Sequence, residues 1–302
     1  MKSVIETVEK RHNIIFAWIV ILLVSDLPNV IWNGFDLKVP VWLFWAKVGV
    51  LAIFFMLCLT WKIIRPLRQF ALVMFVFYSV FLVSNWVGKT SWWQSHFNYK
   101  NISFTLAYLG AYILDIAVSL SVIIVLWIIK RDRKDFFLTM GNLKAPFERV
   151  RWLGIPDGKS WGTFGWIFAL IISGVTLIVM AMSMRISSEI LLKALLLLPA
   201  VLIFAAINAF NEEMYFRASL LSTLHSIIGR THVLLITAIF FGLAHYLYGT
   251  PSGIIGFLMT GFLGWLLGKS ILETKGFFWA WFIHFLADVV IFIGYAIAWV
   301  QK

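Results

Sequence analysis

Six side chains in the second half of this chain have types and spacings suited to activating water. Glu212, Glu213 and Arg217 come first, in the run Asn211-Glu212-Glu213-Met214-Tyr215-Phe216-Arg217. His245 ends the run Phe241-Gly242-Leu243-Ala244-His245, and His284 and Asp288 frame His284-Phe285-Leu286-Ala287-Asp288. Carboxylates and imidazoles are the groups that move protons near neutral pH. On a helix advancing about 100° per residue, Glu213 and Arg217 stand at i,i+4 and can pair, while Glu212 points away from its neighbour. One carboxylate can then be neutralised by the arginine while the other stays available for chemistry. His284 and Asp288 share the same spacing, so they offer two groups from one face to a metal ion or a substrate oxygen. Each piece alone has an ordinary reading: a solvated helix end, a packed core histidine. Together they supply what is needed to activate water and stabilise a tetrahedral oxyanion, which is hydrolysis.

What must position them is membrane. Of 302 residues, 62% are apolar and only 13% charged, and the mean hydropathy is +0.92. A water-facing shell over a chain of this length takes about twice that charged share. Lipid is the alternative solvent, and sixteen Trp suit its interfaces. Apolar stretches long enough to span run at about 14–32, 41–61, 67–87, 104–129, 163–184, 190–210, 233–248, 254–271 and 277–300. The reading is an all-α polytopic transmembrane helix bundle of about eight or nine spans. The first and seventh stretches are the weakest; Asp26 and Pro28 interrupt the first, which could be tilted, re-entrant or interfacial. Residues 1–162 hold the N-terminal spans and a basic loop, and 163–302 the bundle with the polar set. On the 254–271 stretch, Thr260, Gly264 and Gly268 form a small-residue face that permits close helix approach.

The net charge of +11 invites a nucleic-acid reading, but its placement argues for lipid instead. One side of the spans takes Lys2, Lys10 and Arg11, then Lys62, Arg65 and Arg68, then the eight cations from Lys130 to Lys159, then Arg217, Arg230, Lys269 and Lys275. The other takes only Lys38, Lys89, Lys100, Arg185, Lys193 and Lys302, with Lys47 inside a span. Cations gather on the cytoplasmic side, so the N-terminus is expected there. The loop 130–162 is read as lying on the anionic leaflet. The partners expected are the bilayer and a peptide or protein substrate, with no nucleic acid.

Other polar residues are weaker candidates. Cys58 reads as a small buried filler, Asp115 as a structural hydrogen-bonding group or a wall of the substrate path, and His12, His96, His225 and His232 as interfacial or extramembrane residues.

In order and spacing, Glu212-Glu213-x-x-x-Arg217, Phe241-x-x-x-His245 and His284-x-x-x-Asp288 resemble the three motifs of the type II CAAX prenyl endopeptidase and bacteriocin-processing family (CPBP, or ABI). The resemblance covers about 192–295. It implies an intramembrane endopeptidase in a prokaryotic plasma membrane, acting on a membrane-associated, prenylated or leader-type peptide. By it, Glu212 and His245 activate water, Glu213 and Arg217 support them, and His284 and Asp288 polarise the scissile carbonyl. Some members carry Asn where this chain has Asp288, and an ionised carboxylate accepts hydrogen bonds without donating them. Were a divalent ion such as zinc to take part, its candidate ligands are Glu212, His245, His284 and Asp288. The third motif also lacks its usual aromatic, Ala280 standing there beside Phe277, Phe278, Trp279 and Trp281. The competing reading is a non-catalytic immunity, scaffold or transporter-like protein that binds a peptide or ion in the same polar cavity.

Overall fold

Apolar runs of this length leave the backbone one way to satisfy its polar groups, and the chain takes it. A computed structural model describes residues 2–97, 102–130, 132–184, 186–249 and 251–301. Its helices are α1 (Lys2–Val24), α2 (Leu27–Gly34), α3 (Trp42–Thr60), α4 (Arg68–Gly88), α5 (Ser91–Phe97), α6 (Phe104–Lys130) and α7 (Trp161–Ser183). There follow α8 (Ser188–Leu195), α9 (Leu198–Glu213), α10 (Ser219–Ile228), α11 (Arg230–Tyr248), α12 (Gly253–Thr274) and α13 (Phe278–Val300). Among the described residues there is no strand beyond two isolated bridges, Pro146–Ser160 and Val150–Ile155. Lys100, Arg131, Arg185 and Lys302, which enter the charge pattern, lie outside the described residues.

Among the described residues seven helices are long and apolar enough to cross a membrane, and the number rises to nine when each of two bent pairs is taken as one span. The all-α polytopic architecture expected from the sequence is therefore what forms. The seventh stretch is a full straight helix, α11. The first is bent by 52° between α1 and α2, and the sixth by 67° between α8 and α9. Both bends have one cause. Proline clashes with the carbonyl four residues earlier and lacks the N–H that would bond to it. α1 stops at Val24, four before Pro28; α8 stops at Leu195, four before Pro199.

The chain forms two compact units, each assembled from three separated stretches. The first comprises Met1–Leu82, Leu120–Leu138 and Met214–Lys269. In it α11 and α12 approach closely. A Cβ on Gly264 would stand 3.2 Å from Ala238 Cα, and one on Gly268 would stand 3.0 Å from Leu234, so the small-residue face does what its spacing promises. The break after α1 is secured by charge: Lys47 of α3, buried, reaches Asp26 Oδ1 at 3.5 Å, and Asn29 donates to the same oxygen at 2.7 Å.

The second unit comprises Val83–Ser119, Thr139–Glu213 and Ser270–Lys302. Here α13 packs against α7, α8 and α9. Its core includes Phe104, Tyr112, Phe204 and Phe292. The part of the basic loop from residue 139 onward is more than a leaflet-facing segment. It is strapped to the turn that starts α13 by Asn142 N–H to Thr274 O (2.8 Å), Phe277 N–H to Thr139 O (2.8 Å) and Trp279 Nε1 to Leu143 O (3.0 Å). Trp161 Nε1 adds a bond to Glu273 Oε2 at 2.8 Å. Gly141, at φ +72°, has room only for hydrogen, since a Cβ would fall 2.6 Å from Gly276 Cα. Trp281 Nε1 ties α13 to Ala206 O of α9 at 3.0 Å.

The Asp26–Lys47 pair carries a measurable consequence. Asp26→Ala leaves a buried ammonium without its partner and is expected to destabilise the protein by about 3 kcal/mol. Asp26→Asn combined with Lys47→Met is expected to recover most of that loss, read by thermal unfolding in one detergent. A double variant as unstable as the single one would contradict the pairing.

Candidate active site

α9 and α13 lie side by side in the second unit, and their polar residues face one another. His284, one and a half turns into α13, is the centre. Its Nδ1 lies 2.8 Å from Glu213 Oε1. Its Nε2 faces Glu212 Oε2 at 3.5 Å and Asp288 Oδ1 at 3.6 Å. Glu212 and Glu213 leave α9 at different angles, as helix geometry demands, yet they meet opposite edges of one imidazole. An imidazole with a carboxylate oxygen at each nitrogen is satisfied when it carries both N–H protons.

Burial separates the carboxyls. The side chain of Glu213 is 0% exposed and that of Asp288 5%, whereas Glu212 is 19% exposed. Glu212 is thus the most exposed acid of the three. Its Oε2 is buried and takes no hydrogen bond from the described residues, so that oxygen keeps unused acceptor capacity.

Two further α9 residues and one face of α6 complete the cluster. Asn208, one turn before Glu212, donates from Nδ2 to Glu212 Oε1 (3.3 Å) and to Asp288 Oδ2 (2.9 Å). Tyr112 Oη donates to Asn208 Oδ1 at 3.1 Å, and Ser119 Oγ to Asn211 Oδ1 at 2.6 Å. Tyr112 and Ser119 are seven residues apart on α6, with half-buried Asp115 between them. Sequence reasoning singles out Asp115 but passes over Tyr112, Ser119 and Asn208. Their signal was the helical spacing itself, Asn208 at i−4 from Glu212 and Tyr112 and Ser119 at i−3 and i+4 from Asp115.

Arg217 and His245 belong to the first unit. There the helix of α9 continues through a π turn, Met214–Ala218, a form that recurs at functional sites. The Arg217 guanidinium sits 3.7 Å from the centre of the Phe241 ring, and the His245 ring lies 4.4 Å from the same ring. The Phe-x-x-x-His spacing therefore has a physical reason: one aromatic face carries the arginine and the histidine packs beside it. His245 Nδ1 is 2.9 Å from Phe241 O. A carbonyl only accepts, so Nδ1 donates, and the lone pair of the neutral ring is on Nε2. Of the other histidines, His232 Nδ1 accepts from Trp18 Nε1 at 3.3 Å, and His12 and His96 bond within their own helices.

The metal alternative meets a plain obstacle. Among the described residues no group of three His, Cys, Asp or Glu side chains is arranged to hold a metal ion. His284 has Glu213 on one nitrogen and two carboxylate oxygens facing the other. The chemistry below is derived from the side chains of the chain itself.

Fold and cluster together define a polytopic all-α membrane protein with a buried acid–imidazole centre. Residues 193–290 match the family model of Rce1-like proteins, the type II CAAX prenyl endopeptidases. The resemblance carried by the three motifs is borne out over that segment, and the family that the model describes is one of prenyl endopeptidases. No curated protein and no solved structure matches the chain.

Glu212 and Glu213 are expected to part company in stability. Glu213→Leu strips His284 Nδ1 of the carboxylate oxygen 2.8 Å away and is expected to cost about 2–3 kcal/mol. Glu212→Leu removes a partly exposed acid crowded by two others and is expected to leave stability unchanged or raise it, as acids placed for function often do. Thermal unfolding of the two variants in detergent checks the contrast; equal losses would contradict it.

Proposed function

We propose that this protein is an intramembrane endopeptidase that hydrolyses a peptide bond in a membrane-associated substrate, using water activated by Glu212. The observation that carries the reading is Glu212 Oε2: a buried oxygen of the most exposed carboxyl in the cluster, without a hydrogen bond from the described residues, 3.5 Å from His284 Nε2. That is where a base must be to take a proton from water.

In the proposed reaction Glu212 removes a proton from water as the water oxygen attacks the scissile carbonyl carbon. The carbonyl oxygen becomes an oxyanion and receives a hydrogen bond from His284 Nε2–H. Glu213 supports that role by holding Nδ1 and stabilising the charged ring, much as a buried carboxylate orients a catalytic histidine elsewhere. Glu212 then returns its proton to the amide nitrogen as the C–N bond breaks, leaving a carboxyl and an amine. Asp288 accepts from Asn208, so its part is to set the cluster's geometry and charge. This answers the difficulty that an ionised Asp cannot donate to an oxyanion. His245 enters through its motif, and its Nδ1–H bond to Phe241 O leaves the ring's lone pair on Nε2 to accept a proton. Arg217 supports it through the shared Phe241 ring.

The family match favours a substrate of the CAAX type, a peptide with a lipidated cysteine near its C-terminus. The distribution of cations favours a cytoplasmic N-terminus and loop 130–162, and the family resemblance favours a prokaryotic plasma membrane.

Purified protein in nanodiscs, given an internally quenched, farnesylated peptide ending in a CAAX tetrapeptide, is expected to cleave it. Glu212→Gln, which keeps size but cannot take the proton, is expected to lower kcat by about 10³-fold or more. A Glu212→Gln variant with wild-type turnover would remove Glu212 from the chemistry.

A further inference from the structure

The cluster contains one neutral residue that touches two of its acids. Asn208 sends Nδ2 to Glu212 Oε1 and to Asp288 Oδ2, so each amide proton has its own carboxylate. The amide has no other donor, and both of its protons are committed. Its oxygen is equally committed, to Tyr112 Oη. The amide can sit in only one of its two flips. Turned over, Oδ1 would face two carboxylate oxygens and Nδ2 would face a hydroxyl. Tyr112 is itself held: it is buried, and its ring stands against Tyr108, Phe204 and Phe292.

From this geometry we infer that Asn208, locked by Tyr112, is a positioning residue that clamps the Glu212 and Asp288 carboxylates and fixes the orientation of the catalytic base. The inference rests on the peptidase reading and deepens it. Two acids within reach of one imidazole repel each other, and a doubly donating amide between them holds their oxygens at a set separation. With Oε1 held by Asn208, Oε2 is the oxygen that keeps its acceptor capacity for the substrate water. Without the amide, Glu212 is free to rotate about its terminal bond and turn either oxygen away from the water. Hydrogen bonds to charged groups are the stronger ones, and their directionality is what an oriented base requires. The clamp also accounts for Asp288 in this chain: the carboxylate is the acceptor that Asn208 needs on its second proton.

The test compares wild type, Asn208→Ala and Tyr112→Phe in nanodiscs with the same quenched, farnesylated CAAX peptide. Asn208→Ala is expected to lower kcat about 10- to 100-fold with KM unchanged, the loss of a hydrogen bond to a charged group felt only as the base acts. Tyr112→Phe keeps the ring and its stacking, and loses only the hydroxyl; it is expected to lower kcat by a smaller factor, again with KM unchanged. Should Asn208→Ala fail to fold, Tyr112→Phe carries the test. An active wild type with both folded variants at full kcat would overturn the clamp and leave the peptidase reading standing, as would losses that appear in KM alone. A wild type inert toward the peptide would overturn the peptidase reading, and with it the role given to Asn208.

Discussion

The contact between His284 and Glu213 is the one from which the rest of the second unit can be understood. Lipid offers no water to solvate an imidazole or a carboxylate, so each polar group that enters must be satisfied by another. Glu213, fully buried, has His284 Nδ1 at 2.8 Å. Once that pair is set, α9 and α13 have one register with respect to each other, and Glu212 and Asp288 are delivered to the ring's other edge. The packing around the pair serves the same register. Trp281 bonds to Ala206, the loop strap grips the turn before α13, and the aromatic core of Tyr112, Phe204 and Phe292 closes the far side. Polar groups that would each be costly alone become a specific lock when they meet.

Around that lock the chain uses breaks as much as straight helices. Pro28 and Pro199 each end a helix four residues earlier and let the next segment leave at an angle. The second break lets α9 begin in a new direction, with Asn208, Glu212 and Glu213 in its last two turns. Beyond Glu213 the helix passes through a π turn, which shifts the phase of the residues that follow. The first break leaves Asp26 between two apolar segments, and the structure answers it with Lys47. The first exception to regular helix is thus stabilised locally, by side chains of the same unit.

The spans and their all-α arrangement were legible because long apolar runs admit little else. The reactive residues were legible because charge in an apolar run is conspicuous, and because three motifs in order resemble one family. What lay beyond reach depends on contacts between distant positions. Helical spacing offers Arg217 to Glu213, but nothing periodic connects Glu213 with His284, seventy-one residues away. Asn208 and Tyr112 are common residue types in unremarkable places, and they acquire meaning only when α6, α9 and α13 are side by side. The loop 130–162 reads as a basic surface segment, because backbone hydrogen bonds such as Asn142 to Thr274 leave no trace in side-chain chemistry. Gly141 and Gly276 are the faint signs of that contact. The Phe241 spacing was visible as a motif, while its cause, a ring shared by Arg217 and His245, was not.

The central claim is that Glu213 acts through His284, and a double-mutant cycle on turnover addresses it most directly. His284→Ala, Glu213→Gln and the double variant would be compared with wild type for cleavage of the farnesylated CAAX peptide in nanodiscs. If Glu213 works by holding the imidazole, its substitution has nothing left to remove once the ring is gone, so the double variant turns over no more slowly than His284→Ala. Losses that multiply in the double variant would mean that Glu213 acts independently of His284, and the account of the site would be contradicted at its centre.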